Sequence, residues 1–170
     1  MNLLARLFRN ADPRDNLRPL WHRAVEISRE PVWYTDCGVA DTVPGRFDMV
    51  TAVLSLVLLR LEEAGRPRET VLLTELFVAD MDGQLRESGV GDVVVGKRVG
   101  KLVSVLGGRL GALRAALAAP GETELEAALE RNVTMAEGRA TGALARRLRA
   151  FHDRIAALDS KKLLAGDFTL

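Results

Sequence analysis

Few residues in this sequence have the types and spacing that catalysis or metal binding requires. His22 and His152 stand near opposite ends of the chain, and neither belongs to a spaced set such as a structural zinc site or a nucleophilic triad needs. Cys37 has no base beside it in the sequence, which is typical of a quiet, half-buried thiol. No phosphate-binding loop, dinucleotide fingerprint or nucleophile elbow occurs. We therefore expect neither an enzyme nor a bound cofactor or metal.

The aspartates are the one group of residues with chemical potential. They fall in two polar segments that flank apolar helices: Asp36, Asp41, Asp48, Asp80, Asp82 and Asp92. Asp80 follows Leu76 by four residues and Phe77 by three, which predicts that its carboxylate lies on the core-facing side of a helix. A carboxylate in that position needs a partner.

Two interpretations compete for that partner. Asp80 and Asp82, with a facing acid such as Asp48, could hold a divalent cation with phosphates, as in some all-helical metal-dependent enzymes. The alternative, which we favour, is a buried ion pair between Asp80 and one of three cations that could fix the loop and helices together. Those cations are Arg46, Lys97 and Arg98.

Composition suits one domain with a real core. The chain has 170 residues, 48% of them hydrophobic, and its single cysteine cannot form an intramolecular disulfide, which fits a reducing cytoplasm. Charge is uneven: residues 62–92 contain eight acids and three arginines, whereas residues 93–119 contain five basic residues and no acid. We expect these stretches to neutralise each other across a helix pair rather than to form a nucleic-acid-binding surface. Only 5% of the chain is aromatic, so few rings could stack on bases.

Hydrophobic periodicity predicts an all-α fold, a single compact helical domain of about six to seven helices. Turn residues between 31 and 45 predict an ordered loop between the first two main helices, pinned to the core by Trp33 and Tyr34. The predicted helices cover 15–29, 47–61, 67–87, 93–118, 122–132 and 136–158. Asp48, Thr51 and Ser55 form a narrow polar stripe on the otherwise apolar central helix, and the glycines of 93–118 indicate a close helix approach.

The ends of the chain complete this single domain of residues 1–170. In residues 1–12 arginines interrupt the apolar residues, so the segment lacks the unbroken apolar stretch of a secretory signal. The same spacing predicts a short amphipathic helix. The most apolar run, 49–59, is about half the ~20 residues that a membrane span needs. For the tail, 159–170, flexibility and docking through Leu163, Leu164 and Phe168 are both open.

Several segments of the sequence are distinctive when they are taken together in order. They are Trp33-Tyr34-Thr35-Asp36-Cys37-Gly38 continuing to Met49, then Phe77-Val78-Ala79-Asp80-Met81-Asp82, then Leu85 to Asp92 running into Val95–Val99, and Arg131-Asn132-Val133. These segments resemble the ubiquinol-cytochrome c chaperone family of cytochrome bc1 assembly factors. Order, spacing and residue identity agree over a stretch of roughly 19–133, most of the chain.

The resemblance implies an assembly chaperone that binds newly made cytochrome b before its incorporation into the cytochrome bc1 complex, without catalysis. Mitochondrial members work with a smaller partner protein near the ribosome. Because this sequence has no import leader or membrane anchor, we expect a bacterial member that works in the cytoplasm. Contact with the inner face of the membrane, with other assembly proteins and with the ribosome is left open.

A helical domain could receive an apolar client segment in a groove with a charged rim. We expect the contact surface in residues 33–48, since Trp, Tyr and Arg often anchor interfaces. The expected rim of this surface is the basic cluster of Lys97, Arg98 and Lys101. The predicted client-binding residues are Trp33, Tyr34, Asp36, Arg46, Asp48, Asp80, Asp82, Lys97, Arg98 and Lys101. A ribosome or nucleic-acid adaptor is the other alternative, using the basic helices that carry Lys97, Arg98, Lys101, Arg146, Arg147 and Arg149.

Overall fold

The fold is known from a computed structural model that describes residues 12–87 and 95–170, with side chains for 12–84 and 99–170. The described ranges contain a 3-10 turn at Asp15–Leu17, eight α-helices and no strand. The helices are α1 (Arg18–Ser28), α2 (Val32–Thr35), α3 (Val43–Glu63), α4 (Pro67–Glu87), α5 (Val95–Ala118), α6 (Thr123–Asn132), α7 (Gly142–Ala156) and α8 (Ser160–Ala165). The predicted all-α class is confirmed.

Helix α3 is the centre of the domain. It packs against α1, α4, α5 and α7, and nearly every side chain from Met49 to Leu59 is buried. Because helices cover it on all sides, its sequence is apolar around almost the whole circumference. None of the helices in the described ranges combines the length and apolarity that crossing a bilayer requires.

The start of α3 is built into the preceding loop. Thr42 is the N-cap, and its hydroxyl accepts a hydrogen bond from the backbone N–H of Gly45 at 3.3 Å. A Cβ on Gly45 would lie 2.0 Å from the carbonyl oxygen of Ala40, so only glycine fits here. This contact lets the helix begin at Val43, four residues before the predicted start.

The last long helix begins later than predicted. Residues 134–136 are extended and pair with the loop, through hydrogen bonds from Ala40 N–H to the Thr134 carbonyl and from Ala136 N–H to the Gly38 carbonyl, both 2.9 Å. Gly138 then turns the chain at a φ of +71°. Helix periodicity in the sequence carries no information about this pairing. The prediction that residues 136–141 are helical is therefore wrong.

The buried carboxylate is Asp48, and the prediction that Asp80 holds that position is wrong. Asp48 accepts hydrogen bonds at one oxygen from Arg109 of α5, and at the other from the backbone N–H (2.8 Å) and hydroxyl (2.7 Å) of Thr134. Arg109 also donates to Thr51, the next member of the polar stripe. Asp80 is exposed, because α4 turns that side toward solvent.

The four glycines of α5 from Gly100 onwards do not mark a close helix approach. A Cβ at Gly100, Gly107, Gly108 or Gly111 would have nothing within 4 Å outside its own helix backbone, so these glycines lie on an open face. The contacts of α5 with α3, α4 and α6 are made by its other face, through residues such as Leu106 and Leu113.

The C-terminal segment packs against the domain. Leu163 is fully buried, and the Phe168 ring lies 6.2 Å from that of Phe151 in α7. Asp159 caps α8 by accepting from the backbone N–H groups of Lys161 and Lys162, at 2.9 Å each. The helix predicted for 1–12 falls almost entirely outside the described residues.

We expect Asp48→Asn to lower the free energy of unfolding by about 3 kcal/mol, because it leaves the largely buried Arg109 guanidinium without its counter-charge. Urea unfolding followed by circular dichroism measures the change. Asp41→Asn is the matched control, since it removes an aspartate whose ion pair with Arg46 is exposed, and it should leave the urea midpoint nearly unchanged. Equal midpoints for the two variants would contradict a central role for Asp48.

Candidate functional site

An apolar groove of about 600 Å³ opens where the start of α3 meets the end of α4 and the first half of α5. Among the described residues, its walls include the apolar side chains of Val43, Pro44, Phe47, Val50, Met81 and Leu102. Arg29, Arg46 and Gln84 are the polar residues of this described lining. We call this site the apolar groove.

The groove leaves hydrophobic surface in contact with water. Val43 is 84% exposed, the largest exposure among the big hydrophobic residues of the described ranges. Phe47, Met81 and Leu102 are each half-buried. A rimmed apolar patch of this kind is typical of a surface that binds another apolar segment.

Arg46 is held at the edge of the groove by two contacts. Its guanidinium pairs with Asp41 at 2.6 Å and lies 5.7 Å from the centre of the Tyr34 ring. The hydrogen bond from Arg46 lowers the pKa of Asp41 and raises that of the arginine itself. Both groups are therefore charged throughout the neutral range, and Arg29 is a second, exposed cation on the same lining.

Trp33 and Tyr34 pin the loop to the core, as expected from the sequence. Trp33 is fully buried, and its indole N–H donates to the carbonyl of Ile27 at 2.6 Å. The Tyr34 hydroxyl donates to the carbonyl of Ser28 at 2.8 Å, and burial raises the pKa of Tyr34. In this structure, Trp33 has no surface to offer to a partner, while Tyr34 supports Arg46.

Asp36, Asp48, Asp80, Asp82 and Lys101 do not line the groove. Asp48 is buried in its network with Arg109, and Asp36 and Asp80 are exposed at two other clefts. Asp82 is half-buried on α4, and Lys101 is exposed on α5. The side chains of Lys97 and Arg98 lie outside the described residues.

The structure separates the three carboxylates of the metal-site interpretation. Both oxygens of Asp48 are engaged by Arg109 and Thr134, whereas Asp80 lines a cleft together with Arg14, Arg18 and His22. Within the described ranges, no group of three His, Cys, Asp or Glu side chains is placed to hold a metal ion.

The contact segment expected from the sequence, 33–48, contains Val43, Pro44, Arg46 and Phe47 of the groove lining, although the individual binding residues predicted there included only Arg46. Nothing in the sequence indicated Met81 and Leu102, because each also fits an ordinary core position in the linear pattern. One signal was available: Val43 lies between Thr42 and Pro44 in a turn-rich segment, where a large apolar side chain has no helix face to bury it.

Cys37 lies on the other side of the loop and is 2% exposed. Its thiol faces the carbonyl of Ala143 at 3.9 Å. Burial is the main influence on this group and raises the pKa of the Cys37 thiol, against a smaller opposing effect of the Arg147 guanidinium. Cys37 is therefore a protonated core thiol at neutral pH.

The fold and the site define a class of protein: an all-helical domain with an open apolar groove. Within that class, the sequence profile of the Ubiquinol-cytochrome C chaperone family matches residues 35–170. The chain belongs to this family. The match extends through α7 and α8, well beyond the segments that carry the resemblance in the sequence.

A solved relative agrees with this assignment. The crystal structure of the Cbp3 homolog from Brucella abortus superposes with a TM-score of 0.78 at 29% sequence identity, covering 98% of this chain and 96% of that chain. No match was found among curated proteins.

We expect Cys37 to react slowly with a thiol reagent such as iodoacetamide in the native protein at neutral pH, because the thiol is both buried and protonated. The rate should rise as the pH passes toward the raised pKa, and should become that of a free cysteine in urea. Mass spectrometry of the alkylated chain measures it. Native labelling as fast as in urea would contradict this description of Cys37.

Proposed function

We propose that this chain is an assembly chaperone that binds newly made cytochrome b through the apolar groove and supports its incorporation into the cytochrome bc1 complex. It acts by binding and release, without catalysis. Membership of the ubiquinol-cytochrome c chaperone family supports the role, and the open apolar groove is the single observation that supports the mechanism.

The client determines what the site must offer. A membrane protein with several apolar helices exposes those helices before it is fully assembled, and it aggregates unless they are covered. Burial of one side chain of valine size contributes about 1.5 kcal/mol. A groove of about 600 Å³ can take a few such side chains, so it can hold one turn or two of a client helix.

The arginine rim suits the end of such a helix. The last turn of a helix leaves backbone carbonyls without intrahelical partners and carries a partial negative charge. Arg46 and Arg29 present guanidinium donors beside the apolar walls. We infer that the groove binds an apolar client segment with its carbonyl-rich end toward these arginines.

A small site also fits the need for release. The groove takes only a few side chains, whereas permanent complexes bury a much larger surface area. Its affinity for the client would therefore be modest, and the client could pass on to the next assembly step. Other assembly proteins, a second chaperone subunit or the ribosome would then share the client. The inner face of the membrane is the place where this chain would meet cytochrome b.

We expect Val43→Asp to reduce the cytochrome b captured by a tagged form of this chain about tenfold or more, because it replaces the most exposed apolar contact with a charge that must be desolvated. Quantitative mass spectrometry after gentle solubilisation of membranes measures the capture. Assembled cytochrome bc1 should fall in the same cells, while other respiratory complexes stay at their normal levels.

The matched control is Val71→Asp, because Val71 is 57% exposed on α4 and does not line the groove. It makes the same chemical change elsewhere and should leave capture within about twofold of the unmodified chain. If neither variant changes capture, or both reduce it equally, the groove is not the client site. If the unmodified chain brings down no cytochrome b, the proposed client is wrong.

A further inference from the structure

A second cleft, of about 470 Å³, lies between α7 and the segment that carries Asp36 and Cys37. It shares no lining residue with the apolar groove. Arginines of α7 dominate it, and small or apolar side chains form the remaining wall. The lining comprises Asp36, Cys37, Ala143, Arg146, Arg147, Ala150, Phe151, Arg154 and Leu170, and we call it the arginine cleft.

The positive charge of the cleft is only partly neutralised by the residues around it. Among the described residues, no carboxylate lies within ion-pair distance of Arg146 or Arg147, although Arg149 of the same helix pairs with Glu122 at 3.3 Å. Asp36 is the acidic side chain of the described lining, and one of its carboxylate oxygens accepts from the Thr35 hydroxyl at 2.7 Å. Arg154 donates to the backbone oxygen of Leu170, so Arg146 and Arg147 are the two guanidinium groups that remain against the Asp36 carboxylate.

The cleft offers more free hydrogen-bond donors than acceptors, because the Leu170 oxygen already accepts from Arg154 and one Asp36 oxygen from Thr35. Guanidinium groups only donate, and the Cys37 thiol is turned to the carbonyl of Ala143. A peptide segment carries N–H groups as well as carbonyls, and its N–H groups would find few acceptors here. A phosphate group only accepts, and it matches the planar fork of arginine.

The apolar part of the lining indicates where such a phosphate would come from. Ala143, Ala150 and Leu170 form walls beside the arginines, and the space exceeds what one phosphate fills. A headgroup with glycerol and the first methylenes of its acyl chains fits this mixed surface. Bases of a nucleic acid do not, because the one ring in the lining, Phe151, is 1% exposed and cannot stack.

We propose that the arginine cleft binds a phosphate group, and that this phosphate is the headgroup of an anionic phospholipid. Arg146 and Arg147 supply the bidentate donors, whereas Arg154 is engaged within the chain, where it donates to the backbone oxygen of Leu170 and to the Thr169 hydroxyl, the latter at 3.4 Å. Bound in this way, the domain would be held at a membrane surface independently of any client protein.

Flotation of the full chain with lipid vesicles tests the proposal, because the vesicles carry no protein client. We expect binding to phosphatidylcholine vesicles that contain phosphatidylglycerol, and none to phosphatidylcholine alone. The double substitution Arg146→Gln with Arg147→Gln should weaken binding about tenfold or more. Both arginines are exposed, so unchanged urea unfolding is expected to show that the fold is intact.

The control is Lys161→Gln with Lys162→Gln on α8, which removes the same two charges from another exposed site. It should change binding by less than about threefold, whereas equal losses in the two double variants would overturn the proposal in favour of diffuse attraction. Arg146→Lys with Arg147→Lys keeps the charge and removes the fork. A clear loss in this variant supports a built site, and full retention would also overturn it.

Two further arms distinguish the source of the phosphate. Titration with inorganic phosphate, followed by arginine side-chain NMR signals, should shift Arg146 and Arg147 at millimolar concentrations. If phosphate shifts them but vesicles do not bind, the lipid source is wrong. If single-stranded RNA binds through the same arginines and vesicles do not, the cleft is a nucleic-acid site and the proposal fails.

Discussion

The Asp48 carboxylate is the point at which three parts of the chain are joined. It lies on the central helix, receives Arg109 from α5, and receives the backbone and hydroxyl of Thr134 from the extended segment before α7. A buried carboxylate is tolerated only when its oxygens are satisfied, so these partners must all be in place together. The network therefore fixes how α5 and the 134–141 segment sit on α3.

The apolar groove depends on this network. Arg109 lies 5.5 Å from the centre of the Phe47 ring, and Phe47 is one wall of the groove. Leu102, on the opposite wall, lies two turns before Arg109 on the same helix. The position of α5 relative to the start of α3 sets the width of the groove, and the Asp48–Arg109 pair sets that position. A buried polar contact thus shapes the surface on which the proposed function depends.

The loop between α1 and α3 separates the two candidate surfaces. On one side, Tyr34 supports Arg46 at the rim of the apolar groove; on the other, Asp36 and Cys37 border the arginine cleft. Trp33 and the pairing of residues 38–40 with 134–136 hold the loop rigid between them. A chaperone for a membrane protein could in this way present an apolar site for its client and a separate cationic site for the membrane surface from one short segment.

The sequence by itself determined the six longer helices, though not where α3 and α7 begin or that α2 and α8 form, because apolar spacing and turn residues are local properties that need no knowledge of neighbours. It also determined the family, through long ordered matches around Trp33 to Met49 and Phe77 to Asp82. The tertiary structure alone decided which aspartate is buried: helical spacing pointed to Asp80, whereas Asp48 is the one that meets Arg109 and Thr134, and Asp80 lies on the solvent side of α4. It likewise decided that Val43 and Met81 meet across a groove, because residues far apart in the chain become neighbours only when the helices pack.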